Sequence, residues 1–322
     1  MKVRVWWAQF AARVAFQEGA LLKRRGDVAG ARAAYQQAID SGHPDAAPKA
    51  ALNLGVLLGE QGDAAGARAA YQHAIGSGHP DVAPMAALNL GALLADQGDA
   101  AGARAAYQRA IDSGHTDQAP KASYNLGVLL AEQGDVAGAR AAYQQAIDSG
   151  HVDIAPNAAK NLGVLLADQG DVAGARAALQ RAIDSGHPDA APKAAFNLGV
   201  LLADQGDVAG ARAALQQALD SGHADIAPKA AVNLGALLDE QGDVAGARAA
   251  YQQAIDSGHA EAVLRATVNL GMLLEQQGDV AGARAAYQQA IDSGHTRIAA
   301  EAEDRITRLD KHAAMDQGEG TT

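Results

Sequence analysis

Eight histidines (His43, His79, His115, His151, His187, His223, His259 and His295) stand 36 residues apart. Imidazole is a common metal ligand and the side chain best suited to proton transfer near neutral pH, so such a ladder suggests a metal or relay site. The spacing argues against it. Helical units repeating at this interval pack about 8–10 Å apart, too far for neighbouring rings to share one ion. A residue just beyond a helix end, favoured by the negative end of the dipole, explains the row better. Arg32, Arg68, Arg104 and their equivalents to Arg284 form a second register, each five residues after an aspartate. An exposed or inter-repeat ion-pair row fits them better than an anion site. An asparagine row, Asn53 to Asn269, recurs seven times. So regular a row implies a structural task, tying one helix to an adjacent turn by hydrogen bonds; ligand binding is the alternative.

Other chemistry is thinly represented. The chain has no cysteine, which removes disulfides, thiolate catalysis and sulfur-ligated metals. Arg25-Gly26-Asp27 spells an adhesion tripeptide, but its glycine and aspartate recur as turn residues in every copy. No Ser-His-Asp group, carboxylate pair or glycine-rich phosphate loop stands apart from the repetition. Catalysis needs a unique site, and eight near-equivalent ones predict a non-enzymatic chain with no cofactor or metal.

The positioning elements follow from the period. Gln133–His151 recurs letter for letter at Gln241–His259 and Gln277–His295, and a Gly-Asp pair returns every 36 residues from Gly26-Asp27 to Gly278-Asp279. A period of this size means stacked supersecondary units. Alanine, glycine and leucine dominate while aromatics make up 4%, which favours closely packed helices over strands and predicts an all-α class. The net charge is −11, spread evenly, and would repel a phosphate backbone, so nucleic acid is not an expected partner. Gln9 and Arg13 interrupt the apolar N-terminal run, and nothing downstream reaches membrane-spanning length. A cytoplasmic location without a membrane partner is the default expectation.

Within one copy, Ala50, Ala51, Leu54, Leu57 and Leu58 follow three-and-four spacing, so Lys49–Glu60 reads as an amphipathic helix. Asp45 is its expected N-cap, with Pro48 inside the first turn. Gly62 ends it, Asp63 caps the next helix, and Ala67, Tyr71, Ala74 and Ile75 mark that helix's buried face up to the stop at Gly78. Gly55, Ala67 and Ala74 are small where the paired helices would touch.

Asn53-Leu54-Gly55, Gln61-Gly62-Asp63, Ala67, Tyr71 and Ala74 together resemble the tetratricopeptide repeat, over Ala12–Ala299. The period is 36 rather than the family's usual ~34, and the Gly-His turn is similar to that of Sel1-like repeats. The resemblance implies a right-handed α-solenoid of eight helix-turn-helix repeats. Its expected parts are an N-terminal helical extension over 1–11, repeats over 12–299, a capping helix over 300–312 and a disordered tail over 313–322. Trp6, Trp7 and Phe10 are expected to extend the first helix over the exposed end. Ala302, Ile306 and Leu309 keep one apolar stripe on the closing helix.

Individuality lies where the copies disagree. One column reads Leu52, Leu88, Tyr124, Lys160, Phe196, Val232, Val268, and three residues earlier stand Lys49, Met85, Lys121, Asn157, Lys193, Lys229, Arg265. Val56, Ala92, Val128, Val164, Val200, Ala236 and Met272 follow four residues later, so all three columns share one helix face. The resemblance implies that this face lines a concave, ligand-binding groove. Lys160, Asn197 and Lys229 match parts of the family's carboxylate clamp, whereas Val164 and Asn233 depart from it, so a full clamp is absent. The reading is a non-catalytic scaffold holding a partner protein's peptide segment, with acidic groups near the lysines. Its candidate residues are Lys121, Tyr124, Lys160, Lys193, Phe196, Asn197 and Lys229. Alternatives are head-to-tail self-association through the end repeats and regulation of an effector protein.

Overall fold

The computed structural model describes residues 2–292 and 296–319, and every regular element among them is an α-helix. The elements run α1 (Lys2–Arg24), α2 (Val28–Asp40), α3 (Ala46–Glu60), α4 (Ala64–Gly76), α5 (Val82–Asp96), α6 (Ala100–Asp112), α7 (Gln118–Glu132), α8 (Val136–Asp148) and α9 (Ile154–Asp168). They continue as α10 (Val172–Asp184), α11 (Ala190–Asp204), α12 (Val208–Asp220), α13 (Ile226–Glu240), α14 (Val244–Asp256), α15 (Ala260–Gln276), α16 (Val280–Asp292) and α17 (Thr296–Glu319). From α1 to α16 the odd-numbered helices are the first of each repeat and the even-numbered ones the second, and α17 stands at the first-helix position after the last repeat. The chain forms two compact units, up to Leu165 and from Leu166.

Local chemistry explains each turn. At the end of α3, Gly62 takes φ +76°, a conformation that costs a side-chain-bearing residue about 1–2 kcal/mol. Asp63 N–H then donates back to the Leu58 carbonyl at 2.9 Å, closing the helix end. The Asp63 carboxylate accepts from Gly66 N–H at 2.9 Å, capping α4 as the sequence predicts. Gly66 is needed there, because a Cβ would lie 2.6 Å from the Asp63 Oδ2.

The start of each first helix differs from expectation. Asp45 already has helical dihedrals and makes no cap bond. His43, two residues earlier, does the capping: its Nδ1 accepts from Asp45 N–H and Ala46 N–H, both at 3.1 Å. His79, His115, His187 and His223 repeat this two-donor arrangement. His151 and His259 each accept one such bond. The histidines therefore serve the positive end of the following helix, not the negative end of the preceding one. His295 lies outside the described residues.

Packing within a repeat is close because it is built on missing side chains. Gly55 faces the Tyr71 ring, and Ala67 and Ala74 are completely buried. In both units, consecutive first helices touch (α1 with α3, α3 with α5, α5 with α7; α11 with α13, α13 with α15, α15 with α17). Consecutive second helices do not touch among the described residues. Each unit thus fans open on the second-helix side, and the first helices line its inner face.

At the N-terminal end, α1 is unbroken from Lys2, so the expected extension over 1–11 and the first repeat's helix are one rod. Trp7 and Phe10 meet edge to face at 6.1 Å, yet they are 59% and 50% exposed and shield little. The Trp6 side chain lies outside the described residues. At the other end, Ala302 and Leu309 are buried, and helix α17 runs to Glu319, past the expected boundary at 312. No proline follows His312, and the first glycine is Gly318, so nothing stops the helix earlier. Residues 320–322 of the expected tail lie outside the described residues.

Candidate functional site

The three polar rows resolve into connections between repeats. Because Nδ1 of each capping histidine accepts, its ring proton sits on Nε2. That nitrogen reaches back to the preceding repeat: His79 to Asp45 at 3.3 Å, His151 to Asp117 at 3.1 Å, His223 to Asp189 at 3.2 Å and His259 to Asp225 at 3.1 Å. Each of these aspartates also takes a lysine one helical turn on: Lys49, Lys121, Lys193 or Lys229, at 2.7–2.8 Å. The lysine, first, and the histidine hold all four carboxyls below their ordinary range, with burial opposing. The arginine row bridges repeats along the second helices: Arg68 to Asp99 at 3.8 Å, Arg104 to Asp135 at 3.9 Å, Arg176 to Asp207 at 3.6 Å and Arg212 to Asp243 at 3.9 Å. At these distances and this exposure each pair contributes about 0–1 kcal/mol.

The asparagine row reaches the tyrosines of the preceding second helix rather than a turn. Asn89, Asn125, Asn161 and Asn269 lie close enough to the hydroxyls of Tyr71, Tyr107, Tyr143 and Tyr251 to favour the ionised phenols, against the effect of burial. Burial, the largest cause, pushes the last three phenols up to about 12. Neighbouring carboxylates push the same way, Asp96 at Tyr107 and Asp239 at Tyr251.

The candidate residues stand on the inner, first-helix face. Tyr124 is half-buried on α7, its ring 6.1 Å from Tyr143, and its hydroxyl accepts from the Asn161 amide at 3.1 Å. Lys121 lies one turn before it, and Lys160 is next to Asn161 on α9. In the second unit, Phe196 and Lys229 come together in a cleft of about 70 Å³ with Val232, Asn233, Glu261, Ala262 and Arg265. Lys193 and Asn197 occupy α11 on either side of Phe196 and do not line that cleft. Three successive first helices, α11, α13 and α15, build it. Its charged rim is largely compensated: Lys229 pairs with Asp225, and Arg265 with Glu261 at 3.4 Å.

Sequence reasoning counted the lysines as available charges and missed that Lys121, Lys193 and Lys229 each answer an aspartate four residues earlier. The i, i+4 spacing was the available signal. Glu261 was also missed, although it stands at the register of Asp225 and pairs with Arg265 at the same i, i+4 spacing.

Among the described residues no helix is long and apolar enough to cross a membrane. No curated protein sequence matches the chain. Among solved structures, the C-terminal part of a TPR repeat-containing protein from Cytophaga hutchinsonii aligns with TM-score 0.58 at 14% identity, over 75% of this chain and 94% of that one. Pseudomonas aeruginosa pilF aligns with TM-score 0.50 at 21% identity, over 65% and 91%. Yeast Tom70 aligns with TM-score 0.50 at 13% identity, over 89% of this chain and 60% of its own. Likeness at such identities concerns the fold. A tetratricopeptide-repeat family model matches in five stretches, the first three overlapping: 16–83, 52–118, 88–159, 160–231 and 232–298. The helix pairs, the turn chemistry and that near-complete match agree: the chain belongs to the tetratricopeptide-repeat family, whose members generally mediate protein–protein interactions.

Proposed function

We propose that the first-helix face holds a peptide segment of a partner protein, without catalysis. The observation that carries this reading is the cleft at Phe196 and Lys229. Three successive first helices contribute to it, and four of its seven lining residues, Phe196, Lys229, Val232 and Arg265, belong to columns in which the otherwise uniform repeats differ. Phe196 in the second unit, and Tyr124 at the same register in the first, offer apolar area; Lys121, Lys193 and Lys229, each already answered by an aspartate, leave only part of their charge for acidic groups on the segment. Asn197 adds a half-buried amide. A rigid frame of stacked helices limits the ordering cost of binding on the receptor's side.

The test replaces Tyr124, Lys160 and Phe196 together by alanine. A partner captured by crosslinking to the wild-type chain is reduced to its binding segment and titrated by calorimetry. Affinity is expected to fall by at least tenfold, about 1.4 kcal/mol, with helicity unchanged. Unaltered affinity defeats the reading.

One observation favours self-association as a second reading. Trp7, Phe10, Val14 and Leu21 form an exposed stripe on α1. The same register positions in the next repeat, Ala46, Ala50 and Leu57, are buried. A mass by light scattering that stays monomeric at all concentrations removes this second reading.

A further inference from the structure

Six second helices carry tyrosine at one register (Tyr35, Tyr71, Tyr107, Tyr143, Tyr251 and Tyr287), and two carry leucine, Leu179 and Leu215. In the tyrosine repeats the ring lies on a glycine of its own first helix; a Cβ on Gly91 would be 2.5 Å from the Tyr107 ring. In five of them the hydroxyl lies beside the next repeat's asparagine, with carboxylates from the first-helix ends nearby (Glu60 at Tyr71, Asp96 and Glu132 at Tyr107), and Tyr287 instead donates to Glu275 at 2.8 Å.

The same frame persists around Leu215. Gly199 still faces the side chain, with Leu215 Cγ 2.6 Å from a notional Cβ. Asn233, Asp204 and Glu240 stand at the register of Asn89, Glu60 and Asp96. The leucine fills only the space of the ring's inner half. Beyond it opens a cavity of about 190 Å³, walled by Val200 and Leu237 and edged by Asp204, Asn233 and Glu240. Among the described residues neither carboxylate forms an ion pair, and α12 carries no tyrosine to bring a hydroxyl to Asn233.

We propose that this cavity is a subsite for a phenol, the tyrosyl side chain of the bound segment. Its ring lies against Leu215 and Leu237. Its hydroxyl donates to Asp204 or Glu240 and accepts from the Asn233 amide. The partner thereby supplies the group that six sibling repeats supply from their own chain. The subsite deepens the peptide-binding reading and rests on it for its biological role, but its chemistry can be tested alone.

The probes are N-acetyl-tyrosinamide, N-acetyl-phenylalaninamide and N-acetyl-argininamide, titrated into the full ¹⁵N-labelled chain while the Asn233 side-chain amide resonance is followed. The tyrosine probe is expected to shift that resonance saturably. The phenylalanine probe, which lacks the hydrogen bond to a carboxylate, should bind about tenfold or more weakly. Leu215→Tyr, which restores the sibling arrangement and so should fold, is expected to abolish the shift. Equal binding of phenylalaninamide, preference for argininamide, an undiminished shift in Leu215→Tyr, or no saturable shift at all overturns the proposal. A partner segment that binds Leu215→Tyr normally overturns the phenol subsite and leaves the peptide-binding reading standing. The alanine variant at Tyr124, Lys160 and Phe196 tests that broader reading separately.

Discussion

Gly55 and Gly59 lie one turn apart on α3, yet alanine should act on them in opposite directions. A methyl at Gly55 would lie 2.5 Å from Tyr71 Cε1 and 2.6 Å from Cδ1. The ring is only 6% exposed, so it has little room to yield. Overpacking of this kind costs about 1–3 kcal/mol, against roughly 1 kcal/mol regained from alanine's helix propensity. The expected net change is a loss of about 0–2 kcal/mol. At Gly59, an exposed site, the nearest atom to a new Cβ is Ala67 Cβ at 4.0 Å, so Gly59→Ala keeps the propensity gain of about 0.5–1 kcal/mol. The two variants should differ by about 0.5–3 kcal/mol, with Gly59→Ala the more stable. Urea titrations followed by circular dichroism on the full chain measure the order. Hydrogen exchange in α3 and α4 locates the effect, since repeat arrays open locally. A Gly55→Ala protein as stable as Gly59→Ala, or more so, refutes the claim that the glycine is fixed by the tyrosine ring.

Further outcomes follow from the turns and the titrating groups. Asp63→Ala removes the carboxylate that accepts from Gly66 N–H and should cost about 1 kcal/mol, read as a lowered urea midpoint. The phenols of Tyr107, Tyr143 and Tyr251 are raised from 10.0 to about 12 on folding, so the folded chain keeps protons that the unfolded chain would release. Their contribution is complete below pH 10 and is lost as pH rises through about 12; phenolate absorbance and helicity should change together there. Asp45, Asp117, Asp189 and Asp225 are lowered from 3.8, so their contribution is present above that pH and lost as pH falls through the depressed values. Replacing Lys49, Lys121, Lys193 and Lys229 by methionine should flatten that acid limb in stability measured against pH. Excising residues 64–99 joins Asp63 to Ala100 in the same register, and the shortened chain should unfold cooperatively by circular dichroism; a non-cooperative melt contradicts the interchangeable interfaces that couple each repeat to its neighbours.

The helix pairs were legible because their signals are local: three-and-four spacing, an aspartate cap and a glycine stop lie within one stretch of chain. Caps at the first helices were misread for the same reason. Asp45 looks like a cap in sequence, but it already has helical dihedrals, and the acceptor comes from the imidazole of His43. The partners of the histidine and asparagine rows lie 34 residues away, as in His79 with Asp45, or on the preceding second helix, as in Asn89 with Tyr71. Periodicity announces such rows without naming what they touch. At the candidate site, the variable columns were visible, but the pairing of Lys229 with Asp225 and the gap beside Leu215 depend on side-chain paths that spacing does not specify.

Asp45 answers both Lys49 and His79, so a turn made by one copy is finished only by the next. On the ribosome, a freshly emerged hairpin holds an aspartate whose imidazole partner is still inside the exit tunnel. Ordering should therefore advance one copy behind synthesis, each new turn sealing its predecessor.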